Sequence, residues 1–210
     1  MVKKKDGSWT PCSDYRALNA TTRPVHYTIP HLHDFTHQLA GCQIFPTLDL
    51  VRAYDHIPIE ETDIQKTAIC TPFGLFEFPL MTFGLKNAAQ SFQRFLDSLF
   101  RDLPFCFVYI DDILIASRNL DEHISHLKEI FRRLDENGLV LKISKCIFAK
   151  PEVDFLGHHV SASGIRPTTG RIQAILDFNR PSTVKQLRRF LGMLNFYRRF
   201  LPNAAKHQTK

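Results

Sequence analysis

The 210-residue sequence predicts an α+β fold, a sheet-and-helix core with a helical appendage. Three observations carry this. Residues 105–116, Phe-Cys-Phe-Val-Tyr-Ile-Asp-Asp-Ile-Leu-Ile-Ala, form two apolar runs parted by adjacent acids, the pattern of a β-hairpin with carboxylates at its tip. Between 88 and 103, Phe92, Phe95, Leu96, Leu99, Phe100 and Leu103 recur at the i, i+3, i+4 spacing of an amphipathic helix. From Phe178 to Lys210 there is no acid, but Arg180, Lys185, Arg188, Arg189, Arg198, Arg199, Lys206 and Lys210 are present. A basic run without balancing acids points to a polyanionic partner.

In chain order, Lys3-Lys4-Lys5 precede Asp6-Gly7, a favoured hairpin turn, and the returning strand is expected to carry Trp9 and Tyr15. Residues 24–40, with Pro24 and Pro30, read as an extended arm and a short helix. His31, His33 and His37 lie there, but neither a cysteine nor a second cluster completes a zinc set at the usual spacing. A strand ending in Thr47-Leu48-Asp49-Leu50 follows. Strands at 66–70 and 75–78 flank the Thr71-Pro72-Phe73-Gly74 turn. After the acidic hairpin, a helix over 120–137 turns Ile124, Leu127, Phe131 and Leu134 inward, with Gly138 as its stop. His123 and His126 share a face there and read as surface residues. Short strands occupy 139–161 and a helix spans 168–178. A last helix starts at Thr183 with Gln186 as capping partner, Leu187, Phe190, Leu191 and Leu194 inward and arginines outward.

Composition bounds the function. An apolar fraction of 44% and a charged fraction of 23% are those of a folded soluble chain. No apolar run approaches the roughly 20 residues of a membrane helix, and the polar N-terminus lacks the apolar segment of a signal peptide. Five scattered cysteines form no CxxC pair. An intracellular, non-secreted protein with no membrane partner is expected.

The chemistry gathers on Asp49, Asp111 and Asp112, acids in apolar strand settings. Adjacent buried carboxylates cost several kcal/mol or more without a cation between them. Two readings are open for the tip, a plain turn or a divalent-metal site. Three acids on strand ends suit two cations about 3.5–4 Å apart, as in phosphoryl displacement. A polyanion-binding tail beside them makes nucleic acid the expected substrate.

Six motifs then occur in a familiar order: Leu48-Asp49-Leu50-Val51-Arg52-Ala53-Tyr54, Phe83-Gly84-Leu85, Tyr109-Ile110-Asp111-Asp112, Lys145-Cys146-Ile147-Phe148, Phe155-Leu156-Gly157-His158 and the terminal Leu191–Phe200. With Asp14–Asn19 in a finger segment, nearly the whole chain resembles the reverse transcriptase domain of gypsy-type LTR retrotransposon Pol polyproteins. The resemblance implies a right-hand polymerase whose palm is an antiparallel sheet plus helices. Residues 1–45 would be partial fingers and 46–160 the palm, with finger residues about 60–90 interleaved. Residues 161–210 would be a basic, thumb- or connection-like region. It implies RNA-directed DNA polymerase activity on a primed RNA or DNA template with dNTPs. Asp49, Asp111, Asp112 and the Leu50 carbonyl would hold two Mg²⁺ ions, for which Mn²⁺ can substitute, and Lys145 would be the proton donor to pyrophosphate. Lys3, Arg52, Ala53, Tyr54, Phe83 and Gly84 would bind the nucleotide, with Tyr54 as the steric gate against a ribose 2′-OH. Phe155, Leu156, Gly157 and His158 would be the primer grip, and Arg188, Arg189, Arg198 and Arg199 would bind nucleic acid.

The chain departs from the family pattern at Thr10, where an Arg is usual, at Asp55-His56, and at Thr82, with Pro79 nearby. It departs again at Pro46, inside the strand that should deliver Asp49. The alternative these raise is a catalytically inactive remnant retaining at most nucleic-acid binding.

Overall fold

The computed structural model describes residues 2–3, 7, 9–10 and 13–203. Strands β1 (Val2–Lys3) and β2 (Trp9–Thr10) pair antiparallel, with Gly7 between them at φ +84°. Asp6 and the side chains of Lys3 and Thr10 lie outside the described part. Tyr15 is not on a returning strand; it precedes helix α1 (Arg16–Thr21). The cause is local: the Asp14 carboxylate accepts from the Arg16 backbone N–H at 3.1 Å, a turn that starts a helix. Tyr15 itself is buried, and its hydroxyl donates to the Thr67 carbonyl and accepts from Thr82. An extended arm leads to a 3₁₀ segment at 32–39 whose Leu32, Phe35 and Leu39 are buried.

Strand β3 (Thr47–Asp49) is followed by a small hairpin of β4 (Ile69–Thr71) and β5 (Gly74–Phe76). Lys66 and Thr67, expected on β4, belong to a 3₁₀ turn at 61–67, because the Thr67 hydroxyl donates to the Ile64 carbonyl three residues back. Helix α2 (Ala88–Phe100) then packs on the hairpin β6 (Cys106–Tyr109) and β7 (Asp112–Ile115). The central sheet has the order β3–β7–β6, antiparallel throughout. Period-two alternation gives it a core on each face. Leu48, Val108, Ile113 and Ile115 meet Phe92, Leu96 and Phe100 of α2, and Phe107, Leu114 and Ala116 meet Phe35 and Phe155.

Pro46 stands immediately before β3. Its carbonyl accepts from the Ile115 N–H at 3.1 Å, and the Ile44–Ser117 bridge pairs the chain just upstream. The missing donor falls one residue ahead of Thr47, outside the β3 ladder. Asp49 is still delivered.

Helix α3 (Leu120–Glu136) ends at Gly138, φ +65°, as expected. Its buried stripe is turned from the expected one. His123, Ile130 and Leu134 are buried, whereas Ile124 and Phe131 are exposed. A second sheet follows, β8 (Glu152–Phe155), β9 (His158–Ser161) and β10 (Gly164–Pro167), with β9 central. Helices α4 (Thr169–Leu176) and α5 (Val184–Phe196) follow, and a 3₁₀ turn at 198–200 comes last. Thr183 caps α5 by accepting from the Gln186 N–H, while the Gln186 side chain accepts from the Ser182 N–H. No residue of α5 is buried; Leu187 and Leu191, expected inward, are exposed because little packs over them. Among the described residues no helix is long and apolar enough to cross a membrane.

Candidate active site

The acidic tip is built by one left-handed residue. Ile110 has φ +53°, costly for a β-branched side chain, so its surroundings must hold it. Gln93, fully buried on α2, does so. Its side-chain carbonyl accepts from the Ile110 N–H at 2.7 Å, and its amide donates to the Val108 carbonyl at 3.0 Å and to Asp97 at 2.8 Å. Gln93 is the functional residue that motif reading missed. Its signal was present: a polar side chain sits at a core position of the Phe92–Leu96–Phe100 stripe.

With that turn fixed, Asp112 lies directly across from Asp49 in the β3–β7 register. The Leu50 N–H donates to the Asp111 carbonyl at 3.1 Å, which closes the sheet over the third acid. An extended residue points its N–H and C=O to one side, so the Leu50 carbonyl also faces β7. The Lys145 ammonium, from a 3₁₀ turn at 143–145, donates to Asp49 at 2.9 Å. Burial pushes the Asp112 carboxyl up to about 6, and Asp111 and Asp49 push it the same way. Asp111 is also raised, by burial first and by Asp49. The hydrogen bond to Asp49 raises Lys145, which keeps its proton. Among the described residues no three acid, imidazole or thiol groups already converge at metal-binding distance, and Asp49 is turned to Lys145 instead. The donor set is nonetheless all carboxylate and carbonyl oxygen, the ligands Mg²⁺ and Mn²⁺ take. Its unbalanced negative charge is what a cation would relieve.

Beside the acids, Arg52 is left-handed at φ +47°, which turns the chain into a 3₁₀ segment holding Ala53 and Tyr54. The Tyr54 ring packs edge-on against Phe92 at 5.8 Å and tilted against Phe83 at 6.4 Å. Burial raises its hydroxyl's pKa, and the Asp111 charge adds to this. Asp111, Tyr54 and Phe83 are therefore one neighbourhood. Phe83 is largely exposed, and Gly84, at φ +101°, is clamped by Asn19, whose amide donates to the Gly84 carbonyl at 2.8 Å. His56 bonds the Val51 carbonyl at 2.9 Å, and Thr82 bonds Tyr15, so two of the departures from the family pattern have structural partners.

Phe155 and His158 are a buried cross-strand pair, and Leu156-Gly157, both at positive φ, form the two-residue turn between them. His123, read as a surface residue, is buried, and its Nδ1 has no hydrogen-bond partner among the described residues; the same holds for His158 Nε2. His33 goes to His158, ring centroids 5.4 Å apart, and not to a metal set with His31 and His37. Arg188, Arg189, Arg198 and Arg199 are exposed and in no ion pair among the described residues.

The fold is that of a right-hand polymerase. Residues 2–160 match the reverse transcriptase (RNA-dependent DNA polymerase) family, and this chain belongs to that family. It is 41% identical over 211 residues to the retrovirus-related Pol polyprotein from transposon 297 of Drosophila melanogaster, covering 98% of this chain and 20% of the relative. It is 34% identical to the transposon Tf2-3 polyprotein of Schizosaccharomyces pombe, covering 98% of this chain and 16% of the relative. These relatives bear out the resemblance to gypsy-type LTR retrotransposons. The chain thus spans about a fifth or less of the curated relatives it matches. Among solved structures, a foamy viral protease–reverse transcriptase in complex with double-stranded DNA superposes with a TM-score of 0.88 at 28% identity, covering 98% of this chain and 36% of that one. A foamy viral complex with RNA/DNA hybrid gives 0.73 at 27% identity, covering 87% and 25%. Reverse transcriptases as a family use divalent metals.

Proposed function

We propose that this chain carries out RNA-directed DNA synthesis. A primer 3′-hydroxyl gives up its proton to water and its oxygen forms a bond to the α-phosphorus of a dNTP as the bond to the bridging oxygen of the β-phosphate breaks, and pyrophosphate leaves. The observation that carries the reading is the placement of Asp49, Asp112 and Asp111 at one end of the β3–β7 pair, held by Gln93 and partnered by Lys145. The duplexes bound by the foamy viral neighbours support a primed RNA or DNA template as partner.

In this reading Asp49, Asp111, Asp112 and the Leu50 carbonyl would hold two Mg²⁺ ions, or Mn²⁺. When bound, such ions neutralise charge on the attacking and leaving oxygens. The chain's own residues do the rest. Lys145 keeps the proton that departing pyrophosphate takes up. The Arg52 and Ala53 backbone and Lys3 receive the triphosphate, and Phe83-Gly84 floors the base pocket. Tyr54, braced by Phe83 and Phe92, excludes a 2′-OH. The Phe155–His158 turn presents the primer end, while Arg188, Arg189, Arg198 and Arg199 meet backbone phosphates. The division follows: partial fingers at 1–45, palm at 46–160 with fingers interleaved near 60–90, and a thumb- or connection-like region at 161–210, in a protein acting inside the cell.

Primer extension on an RNA template with Mg²⁺ and dNTPs tests this. Asp111→Asn is expected to lower extension by about a thousandfold, the scale of several kcal/mol of lost charge stabilisation. A folded wild-type chain that extends nothing would return the protein to nucleic-acid binding alone.

A further inference from the structure

Among the described residues after Val160, Tyr197 alone is buried. It lies at the C-terminal end of α5, a helix that has no buried residue of its own. Its hydroxyl donates to the Gly157 carbonyl at 3.2 Å. The same carbonyl accepts from the Thr168 N–H at 3.2 Å, at the start of α4. Both C-terminal helices are therefore tied to one oxygen in the β8–β9 turn. The fit there is close: a Cβ on Gly157 would stand 3.1 Å from the Tyr197 hydroxyl and 3.3 Å from Arg171 Nε. The tie is reinforced by rings, since His158 lies 5.5 Å from Tyr197, 5.4 Å from Phe196 and 6.0 Å from Phe200.

We propose that Tyr197 is a positioning residue for synthesis: through the Gly157 carbonyl it holds the Leu156-Gly157 turn in register with α4 and α5. The inference rests on the proposed role of that turn in presenting the primer end. Leu156 adopts a left-handed backbone, φ +50°, that costs a side chain with a Cβ, so contacts from outside the turn help to hold it. Tyr197 grips it through a part-buried hydroxyl, whose hydrogen bond is specific in direction where apolar packing is not.

The test is Tyr197→Phe in the full 210-residue chain, which keeps the ring and removes the hydroxyl, beside Ser98→Ala, which removes an exposed hydroxyl bonded to the Phe95 carbonyl instead. Expected in Tyr197→Phe is a fall of about tenfold in the single-turnover extension rate, the scale of one hydrogen bond. The KM for dNTP should be unchanged, and amide exchange at Gly157, His158 and Thr168 about tenfold faster. Ser98→Ala should show none of these changes. A rate unaltered in Tyr197→Phe, or a rise in dNTP KM with no change in rate, overturns the proposal. Should the wild-type chain extend nothing, the polymerase reading fails by itself. Amide exchange then decides the remainder: faster exchange at the turn supports Tyr197 as its tether, and unchanged exchange refutes it.

Discussion

Ile110 shows how much of this site hangs on single residues. Its left-handed backbone aims Asp111 and Asp112, and Gln93 from another element holds it there. Gln93→Ala leaves the buried Val108 carbonyl and the half-buried Ile110 N–H without their partner. A loss of about 3 kcal/mol in urea unfolding is expected, together with lower Mg²⁺-dependent extension. Stability unchanged in that variant would mean the turn holds itself. The Asp49–Asp111–Asp112 acids were legible in the sequence because carboxylates inside apolar runs are conspicuous. Gln93 was less so, because amides in helices are common and its partners are 15 and 17 residues away.

At the scale of elements, α2 and α3 make a useful pair. The α2 stripe followed its spacing inward, with Phe92, Leu96 and Phe100 all buried against the sheet. Phe92→Ala is expected to cost about 3–5 kcal/mol in denaturant titration, the usual price of an emptied aromatic site. The α3 stripe is offset, since its apolar residues cover more of the circumference than the sheet can bury. Ile130→Ala should cost about 2–5 kcal/mol, while Phe131→Ser should stay within about 0.5 kcal/mol. Equal costs at the two positions would contradict the observed rotation. The β8–β9 turn makes the same point for loops. Leu-Gly is no standard turn signal, and the left-handed turn has partners from elsewhere: His158 meets the Leu156 carbonyl and the Tyr197 hydroxyl meets the Gly157 carbonyl.

For the molecule as a whole, burial sets an acid limit. His158 is depressed below its ordinary value by burial and by His33, against the pull of the Leu156 carbonyl. Burial also depresses His33, with Arg199 adding to it and Asp34 opposing. His123 and His126 are lowered as well, Glu122 opposing at the latter. A depressed folded pKa means the unfolded chain binds the proton more readily. Stability from these imidazoles is then complete above about pH 6.5 and is lost as the pH falls below it. Raised Asp111 and Asp112 act oppositely, losing stability as the pH rises from about 4 toward 6 without a cation. Urea midpoints for Asp112→Asn should therefore fall more steeply between pH 7.5 and 5.5 than those of the wild type. Parallel curves would show that the two sets of groups do not oppose one another.

The sequence by itself determined the α+β class, the hairpin that carries Asp111 and Asp112, the α2 core stripe and the basic C-terminal region. Each depends on short-range pattern: alternation, helical period, or charge along a few turns. The tertiary structure alone decided that Asp49 faces Asp112, that Lys145 reaches Asp49, and that Gln93 holds Ile110. It also decided that Pro46 falls just ahead of β3, that α5 carries no buried residue, and that Tyr197 meets Gly157 across 40 residues. These depend on which surfaces meet. Packing fixes that, because a partner far along the chain leaves no periodic mark on the residues it touches.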